Sequence, residues 1–264
     1  MKPNVKQHWL AALLYLGIAF LSSGCGNSSA EGPKVLIGAT LFNTSNRSHV
    51  DRSVVVVDKE FFKAVGDQPT LPIPAGSEKT DLTGRFLIPT PVQLPREANY
   101  PRFKTQEELR ALVTDGKLVV KGMPVDTDDL DSTLIEQIKQ RHVIVFPSLL
   151  VFEVEPHNLK RAKSNAKKMF DAGVKLGVDG DHNAHREWKF LGEAGLPAEA
   201  IIQATTAHTA EAIELRNAGR ITPGLQAGLY VLKCDPREDI ACLVKVERAM
   251  AKGEWVAPPA LGEN

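Results

Sequence analysis

The sequence has little cysteine, few aromatic residues and no excess of either charge, and each shortage excludes a class of protein. The three cysteines form no CxxC motif, and neither a serine-nucleophile motif nor a phosphate-binding loop is present. Lysine and arginine number 32, as do aspartate and glutamate, so we predict that nucleic acid is not a partner. Hydrophobic residues make up 43% of the 264 residues, which is enough to form a folded core.

Long apolar runs are also scarce, and the one near the start of the chain predicts a signal peptide. Lys2 and Lys6 precede the 13-residue run Trp9–Leu21, which small residues follow. A run of this length is too short to span a bilayer comfortably, but it is typical of the apolar part of an export signal. We therefore predict that residues 1–24 are a signal peptide and that the protein is exported.

Cys25 directly follows the predicted signal peptide and indicates a lipid anchor. Gly24 and Cys25, with the flexible residues 26–29 behind them, are arranged as in bacterial lipoprotein signals. Residues 25–33 would then link a membrane anchor, on the periplasmic or extracellular side, to the folded part. Cleavage after Ala30 is the alternative, and it would release a soluble secreted protein.

The other two cysteines, Cys234 and Cys242, flank the turn at 235–240. Export to an oxidising compartment would permit a disulfide between them. We favour two small buried thiols instead, because free cysteine is among the most buried residue types.

Strand-forming segments lie at both ends of the region after residue 33. Residues 35–42 and 53–58 are rich in β-branched and apolar side chains, and a third strand ends at 86–88. Residues 219–232 and 244–256 have the same character. These segments predict a small β-structure to which both ends of the chain contribute.

Helix and strand signals alternate between these two regions. Thr105 begins an amphipathic helix that extends to about Asp115, and Thr133 with Glu136 has the pattern of a capping box for a second helix. The remaining segments are strands at 118–120, 143–146 and 174–178 and helices at 158–172, 185–194 and 198–217. This alternation predicts an α/β fold with parallel strands and right-handed crossovers.

Four aspartates precede the second helix, and two roles can be considered for them. They are Asp126, Asp128, Asp129 and Asp131. The segment lacks the turn glycine and the distal glutamate of a calcium loop. Acidic side chains ahead of a helix stabilise its N-terminus, so we predict helix capping rather than calcium binding.

Several motifs in the last third of the chain resemble one family. They read G-V-K-L-G-V-D at 173–179, E-A-G-L-P-A-E-A-I-I-Q-A-T-T at 193–206, G-R-I-T-P-G at 219–224 and D-P-R-E-D-I at 235–240. These motifs, with Asp81–Pro89 and Phe146–Leu149, resemble the metal-dependent amidohydrolase superfamily, in particular its imidazolonepropionase-like branch.

The resemblance implies a TIM-type (β/α) barrel and a β-sandwich. A complete barrel takes about 250 residues, and about 200 at minimum, which is more than the segment 90–218 supplies. We therefore predict a truncated barrel remnant at 90–218 and a small composite β-sandwich from 34–89 and 219–258. The missing early half of the barrel would expose strand edges, which an oligomer could cover.

The resemblance also implies a metal site, which is degenerate in this chain. In the family, histidines and an aspartate after the last strand hold one or two divalent metals, and Asp179 occupies the aspartate position. Pro95 and Glu97 stand at the positions of the first histidine pair, and Lys121 stands where a later histidine is expected. In the family the metal activates a water molecule, and the aspartate accepts its proton.

Two histidines after Asp179 could rebuild part of this site. His182 and His185 are spaced i, i+3 and could bind zinc together with Asp179. In the alternative interpretation, Asp181 caps a helix in which His185 and Glu187 are ordinary first-turn residues.

His157 and His208 are further candidates. His157 lies in the loop after a predicted strand, where barrel enzymes keep residues that contact substrate. His208 lies on a predicted helix behind the last strand and could support a residue of the site, although a surface pair with Glu211 explains it equally well.

The family implies hydrolysis of a non-peptide C–N bond in a small amide or cyclic amide by metal-activated water, with zinc as the expected metal. The lost ligands support an alternative without a cofactor: a non-catalytic exported lipoprotein. That protein would keep the fold to bind a ligand or to pair with an intact relative.

Overall fold

A computed structural model of the chain describes residues 32–181 and 183–262. The predicted signal peptide, Cys25 and His182 lie outside the described residues. Gly32–Asn264 forms one compact unit. Within the described ranges, no helix combines the length and the apolarity that a membrane crossing requires.

The described strands fall into three sheets, and most helices flank one of them. In chain order the strands are β1 (Lys34–Ile37), β2 (Thr40–Asn43), β3 (Ser48–Val50), β4 (Ser53–Asp58), β5 (Phe61–Asp67), β6 (Glu78–Asp81), β7 (Phe86–Pro89), β8 (Arg102–Phe103), β9 (Val119–Gly122), β10 (Ile144–Phe146), β11 (Lys175–Leu176), β12 (Leu229–Leu232), β13 (Val246–Ala251) and β14 (Glu254–Val256). The helices are α1 (Gln106–Thr114), α2 (Ser132–Gln140), α3 (Pro156–Asp171), α4 (Ala184–Glu193), α5 (Ala198–Gln203) and α6 (Thr209–Ala212). A π-helical segment, Ala204–His208, joins α5 to α6.

Gly38 divides the segment 35–42, which was predicted as one strand. Its φ is +91°, and a Cβ at this position would lie 2.4 Å from the Thr83 hydroxyl, so a side chain is excluded on both grounds. Before Gly38, β1 pairs with β4 and β6, whereas β2 pairs after it with β3 and β7 in another sheet. The prediction of a single strand is therefore wrong, because the chain passes from one sheet to the next at this glycine.

The two ends of the folded region share the six-stranded sheet, as the sequence predicted. Its order is β14-β13-β12-β7-β2-β3, and β12 pairs antiparallel with β7. Alternate side chains of β7 face opposite sides. Leu87 packs among the residues of the four-stranded sheet β5-β4-β1-β6, whereas Ile88 packs into the core formed by the helices and the third sheet.

The third sheet carries the parallel strands that the alternating pattern predicted. Its order is β11-β10-β9-β8, every neighbouring pair is parallel, and α1, α2 and α3 connect successive strands. Because the strands are parallel, their carboxyl ends lie at one edge of the sheet. Side chains that follow these strands therefore come together there.

The first two helices begin at different kinds of cap. Thr105 caps α1 in a capping box with Glu108, which confirms the prediction for this helix. The cap predicted at Thr133 is wrong. Asp131 caps α2 instead, because its carboxylate accepts a hydrogen bond of 2.7 Å from the Thr133 N–H.

Asp126 and Asp128 of the acidic cluster are held by separate partners. Asp126 accepts a hydrogen bond of 3.0 Å from the Gln106 N–H, and Asp128 pairs with Arg161 at 2.9 Å. Helix capping by this cluster is thus confirmed at Asp131, and Asp128 instead joins the cluster to α3.

Cys234 and Cys242 form a disulfide. The interpretation of these residues as two free thiols is therefore wrong, although Cys242 is buried as expected. The disulfide connects the turn after β12 to the 3-10 helix Ile240–Val244, which leads into β13.

Candidate functional site

The carboxyl ends of the parallel strands bring Lys121 and Asp179 together. Lys121 lies near the end of β9, and Asp179 comes three residues after the end of β11. The Lys121 ammonium nitrogen lies 3.8 Å from Asp179 Oδ2, and about four fifths of the lysine side chain is removed from solvent. Residues far apart in sequence thus form an ion pair at the edge where parallel sheets commonly bind ligands.

Asp179 is held in place by the backbone of the segment that precedes β8. The Leu94 N–H donates a hydrogen bond of 3.0 Å to Asp179 Oδ1. Burial raises the pKa of the Asp179 carboxyl above its ordinary value, and it outweighs the opposite effects of the Leu94 N–H and Lys121. A carboxylate with a raised pKa is a better proton acceptor near neutral pH.

Two glycines permit this local arrangement. A Cβ at Gly177 would lie 2.5 Å from the Phe146 ring, and a Cβ at Gly180 would lie 2.7 Å from the Val92 carbonyl oxygen. The chain around Asp179 therefore approaches β10 and the segment 91–94 more closely than any side chain would allow.

A two-lobed cleft surrounds the ion pair. One lobe has a volume of about 320 Å³ and extends towards Ser148 and Glu187. The other has a volume of about 250 Å³ and extends towards Tyr100 and the exposed residues 95–99. The lobes share four lining residues, which are Arg102, Lys121, Asp179 and Asp181.

Glu187 is a buried residue that lines the larger lobe. This residue of α4 is buried, and its carboxylate accepts hydrogen bonds from the Leu149 N–H at 2.9 Å and the Leu150 N–H at 3.2 Å. Burial raises the pKa of Glu187 to about 7, although both N–H donors favour the ionised form. Glu187 thereby ties the loop after β10 to the helix after β11.

The residues around Asp179 fit a divalent metal poorly. Among the described residues, no group of three histidine, cysteine, aspartate or glutamate side chains has the spacing of a metal site. The nearest charged partner of Asp179 is itself a cation, Lys121, and a lysine binds metal only when it is deprotonated.

Of the three predicted metal ligands, Asp179 and His185 are among the described residues. His185 lies in the first turn of α4 and lines neither lobe. His182 lies outside the described residues, so its role together with Asp179 stays a prediction. Asp181 lines both lobes, and its carboxylate accepts a hydrogen bond of 2.9 Å from the Asn183 N–H.

His157 and His208 lie away from the cleft. His157 is exposed at the N-terminus of α3 and lines neither lobe. His208 ends the π-helical segment and contacts the Leu176 carbonyl oxygen through Nδ1 at 2.7 Å. It lines a separate cavity of about 230 Å³ beside Lys175, and burial lowers its pKa.

Sequence reasoning did not find Arg102 or Tyr100. β8 has only two residues, so it has no periodic pattern, and the join between the β-rich part and the first helix resembled an ordinary loop. No sequence signal marks Arg102, and only the structure shows that it is the register partner of Lys121 on β9.

Comparisons with known proteins identify the family and the fold. The model of the amidohydrolase family matches residues 99–256. Molinate hydrolase is 11% identical, with a TM-score of 0.69 over 86% of this chain and 95% of that one. Phenylurea hydrolase B is 11% identical, with a TM-score of 0.67 over 88% and 98%. A Xaa-Pro dipeptidase with bound methionine is 12% identical, with a TM-score of 0.65 over 85% and 100%.

No curated protein matches the sequence significantly. At these identities the structural likeness establishes a TIM-barrel-like α/β fold and leaves activity open. The family model covers more than half of the sequence, including β8 to β14 and both residues of the ion pair. This chain therefore belongs to the amidohydrolase family.

Proposed function

We propose that this protein is a hydrolase of C–N bonds in small amides, with the cleft around Lys121 and Asp179 as its active site. The observation that carries the proposal is the pairing of a partly buried carboxylate, whose pKa is raised, with a lysine ammonium at the carboxyl ends of parallel strands. The similar solved structures include hydrolases of molinate, phenylurea and Xaa-Pro dipeptides.

The chemistry can be written with the residues of this chain. Asp179 accepts a proton from a water molecule as the water oxygen attacks the carbonyl carbon of the amide. Lys121 donates a hydrogen bond to the carbonyl oxygen as negative charge develops there. The C–N bond then breaks, and the proton held by Asp179 passes to the leaving nitrogen.

A divalent metal, with zinc as the expected one, would supply a more reactive water in this family. The described residues do not provide a set of ligands for it, so the steps above use Asp179 and Lys121 alone. A zinc site built on Asp179, His182 and His185 stays a prediction, and metal analysis of the purified protein after incubation with zinc tests it.

A non-catalytic binding protein is the second candidate. The observation that favours it is the loss of the family's first histidine pair, whose positions are occupied here by Pro95 and Glu97. In this role the cleft would bind a small amide without cleaving it, or the chain would pair with an intact relative.

Turnover of a panel of N-acyl amino acids, cyclic amides and ureas separates the two candidates. We expect hydrolysis by the wild-type protein and a loss of at least about a hundredfold in Asp179→Asn, since that variant cannot accept the proton. Asp58→Asn is the matched control, because Asp58 is exposed at the end of β4. Binding without turnover in the wild-type protein would favour the second candidate, and zinc dependence of the rate would favour the metal-based form.

We also infer the finer architecture from the pairings of the strands. The parallel sheet is interpreted as a truncated barrel remnant at 90–218, and the two other sheets as a composite β-sandwich of 34–89 and 219–258. Unpaired edges of the parallel sheet would then favour an oligomer, which light scattering of the purified protein can test.

Export is proposed from the sequence alone. Cys25 would carry a lipid that anchors the protein at a membrane, and cleavage after Ala30 would give a soluble secreted form. Metabolic labelling with a radioactive fatty acid tests this, and Cys25→Ser should abolish the label.

A further inference from the structure

Two cations from neighbouring strands line both lobes of the cleft. Arg102 on β8 is the register partner of Lys121 on β9, and both line the two lobes. The two strands are parallel, so these side chains are neighbours at the same level of the sheet.

Only one of these cations is neutralised by a neighbour. Lys121 pairs with Asp179, whereas no carboxylate of the described residues lies within ion-pair distance of the Arg102 guanidinium. Arg96 lacks such a partner as well, and it lines the same lobe of about 250 Å³. Both arginines are exposed to solvent and can be reached by a ligand.

The charge of this lobe favours a singly charged anion. Its lining includes three cations, Arg96, Arg102 and Lys121, and two carboxylates, Asp179 and Asp181. The excess is one positive charge, which matches one carboxylate group. A phosphate dianion would overcompensate this charge and would be repelled by the two aspartates.

We propose that Arg102 and Arg96 form a carboxylate-binding subsite, so that the ligand of the cleft is a small amide that also carries a carboxylate. This inference rests on the proposed function, because the subsite orients the amide towards Lys121 and Asp179. The guanidinium group presents two parallel N–H donors that match a carboxylate.

Tyr100 lies at the same lobe and suits such a ligand. Burial and the charge of Asp179 raise the pKa of the Tyr100 phenol, so the hydroxyl stays protonated and can donate a hydrogen bond. The segment that carries Tyr100 is anchored through Leu94, whose side chain packs with Phe146. The lobe therefore has a fixed wall beside its two arginines.

A pair of ligands that differ in one group tests the proposal. N-acetyl-L-alanine carries a carboxylate, and N-acetyl-L-alanine amide carries a neutral carboxamide in its place. Ligand-observed NMR titration of the purified protein at low ionic strength measures both affinities. We expect the acid to bind at least about tenfold more tightly than the amide.

Arginine variants locate the effect. We expect Arg102→Gln to remove most of the preference for the acid, Arg96→Gln to reduce it, and Arg102→Lys to retain part of it. Arg216→Gln is the matched control, because Arg216 is exposed and lines neither lobe. Circular dichroism establishes that each variant is folded.

The outcomes separate this inference from the proposed function. Equal affinities for the acid and the amide would overturn the subsite, as would a preference that survives in Arg102→Gln. If the acid is preferred through Arg102 but no amide is hydrolysed, the subsite stands and the hydrolase proposal fails. Hydrolysis of an amide without any preference for the acid would support the hydrolase proposal and overturn the subsite.

Discussion

Among the residues that the structure describes, Glu187 has a strongly altered ionisation. Its carboxyl group is buried, and its pKa is raised from an ordinary 4.5 to about 7. A group whose acidic pKa is raised in the folded state costs stability once the unfolded chain ionises. At pH 5 the folded protein keeps most of this proton, whereas at pH 8 it must hold a buried charge.

We therefore expect stability to fall as the pH rises from about 4.5 to about 7. The difference between the folded and unfolded pKa of Glu187 corresponds to a loss of about 3 kcal/mol across this window. Glu187→Gln should remove most of this slope, because glutamine does not titrate. Denaturant unfolding at several pH values measures the slope.

The exposed Glu238→Gln serves as the control for this substitution. It should leave the pH dependence unchanged. A slope that persists in Glu187→Gln would mean that another group dominates.

At the same scale, the sequence predicted some site residues and missed others. Asp179 follows a recognisable strand and a family motif, so its position could be predicted. Arg102 could not be found, because a strand of two residues has too few positions to show alternation. Lys121 neutralises Asp179 because the fold brings the two side chains together. No local sequence pattern predicts that proximity.

At the scale of the secondary-structure element, the N-caps decide where α1 and α2 begin. The threonine at 105 and the aspartate at 131 each precede a helix, and either residue type is a good cap. Thr133 had the correct spacing to Glu136, but Asp131 lies two residues earlier and reaches the Thr133 N–H first. Spacing alone therefore predicted the helix and misplaced its start.

The cap of α1 leads to a simple prediction. Thr105→Ala should lower the free energy of unfolding by about 1 kcal/mol, because the Glu108 N–H loses its acceptor at 3.1 Å. Chemical denaturation followed by circular dichroism measures the change.

Thr114→Ala, at the exposed last residue of the same helix, is the matched control and should have almost no effect. Because alanine is a better helix former than threonine, an equal loss in the two variants would mean that the loss at Thr105 does not come from capping.

Across the whole molecule, the six-stranded sheet joins two hydrophobic cores. Leu87 and Val231 belong to the core between the sheets, whereas Ile88 and Leu232 belong to the core of the parallel sheet and its helices. Because both faces of this sheet are buried, unfolding of either core would disrupt the sheet and expose the other core. The sequence predicted that both chain ends meet, but the break at Gly38 and the sharing of one sheet by two cores depend on long-range packing.

We therefore expect both cores to unfold in one transition. Trp188 reports on the helical core and Trp255 on the core between the sheets. Each can be made the single tryptophan by replacing the other and Trp9 with phenylalanine. In both variants, tryptophan fluorescence and far-ultraviolet circular dichroism should change at the same denaturant concentration.

The comparison is made within each variant, so changes in overall stability do not affect it. A fluorescence transition of Trp255 that precedes the circular dichroism change would mean that the β-rich part unfolds by itself.

The attachment of the segment 91–94 has a consequence for protein engineering. Its backbone is fixed at three points: the Val92 N–H donates to the Thr205 carbonyl oxygen at 2.9 Å, the Val92 carbonyl accepts from the Gly180 N–H at 2.9 Å, and Leu94 holds Asp179. Residues 95–99, immediately beyond, are all exposed. Sequence libraries at residues 95–99 should therefore change ligand preference, because the anchored base of the loop keeps the Asp179 carboxylate in position.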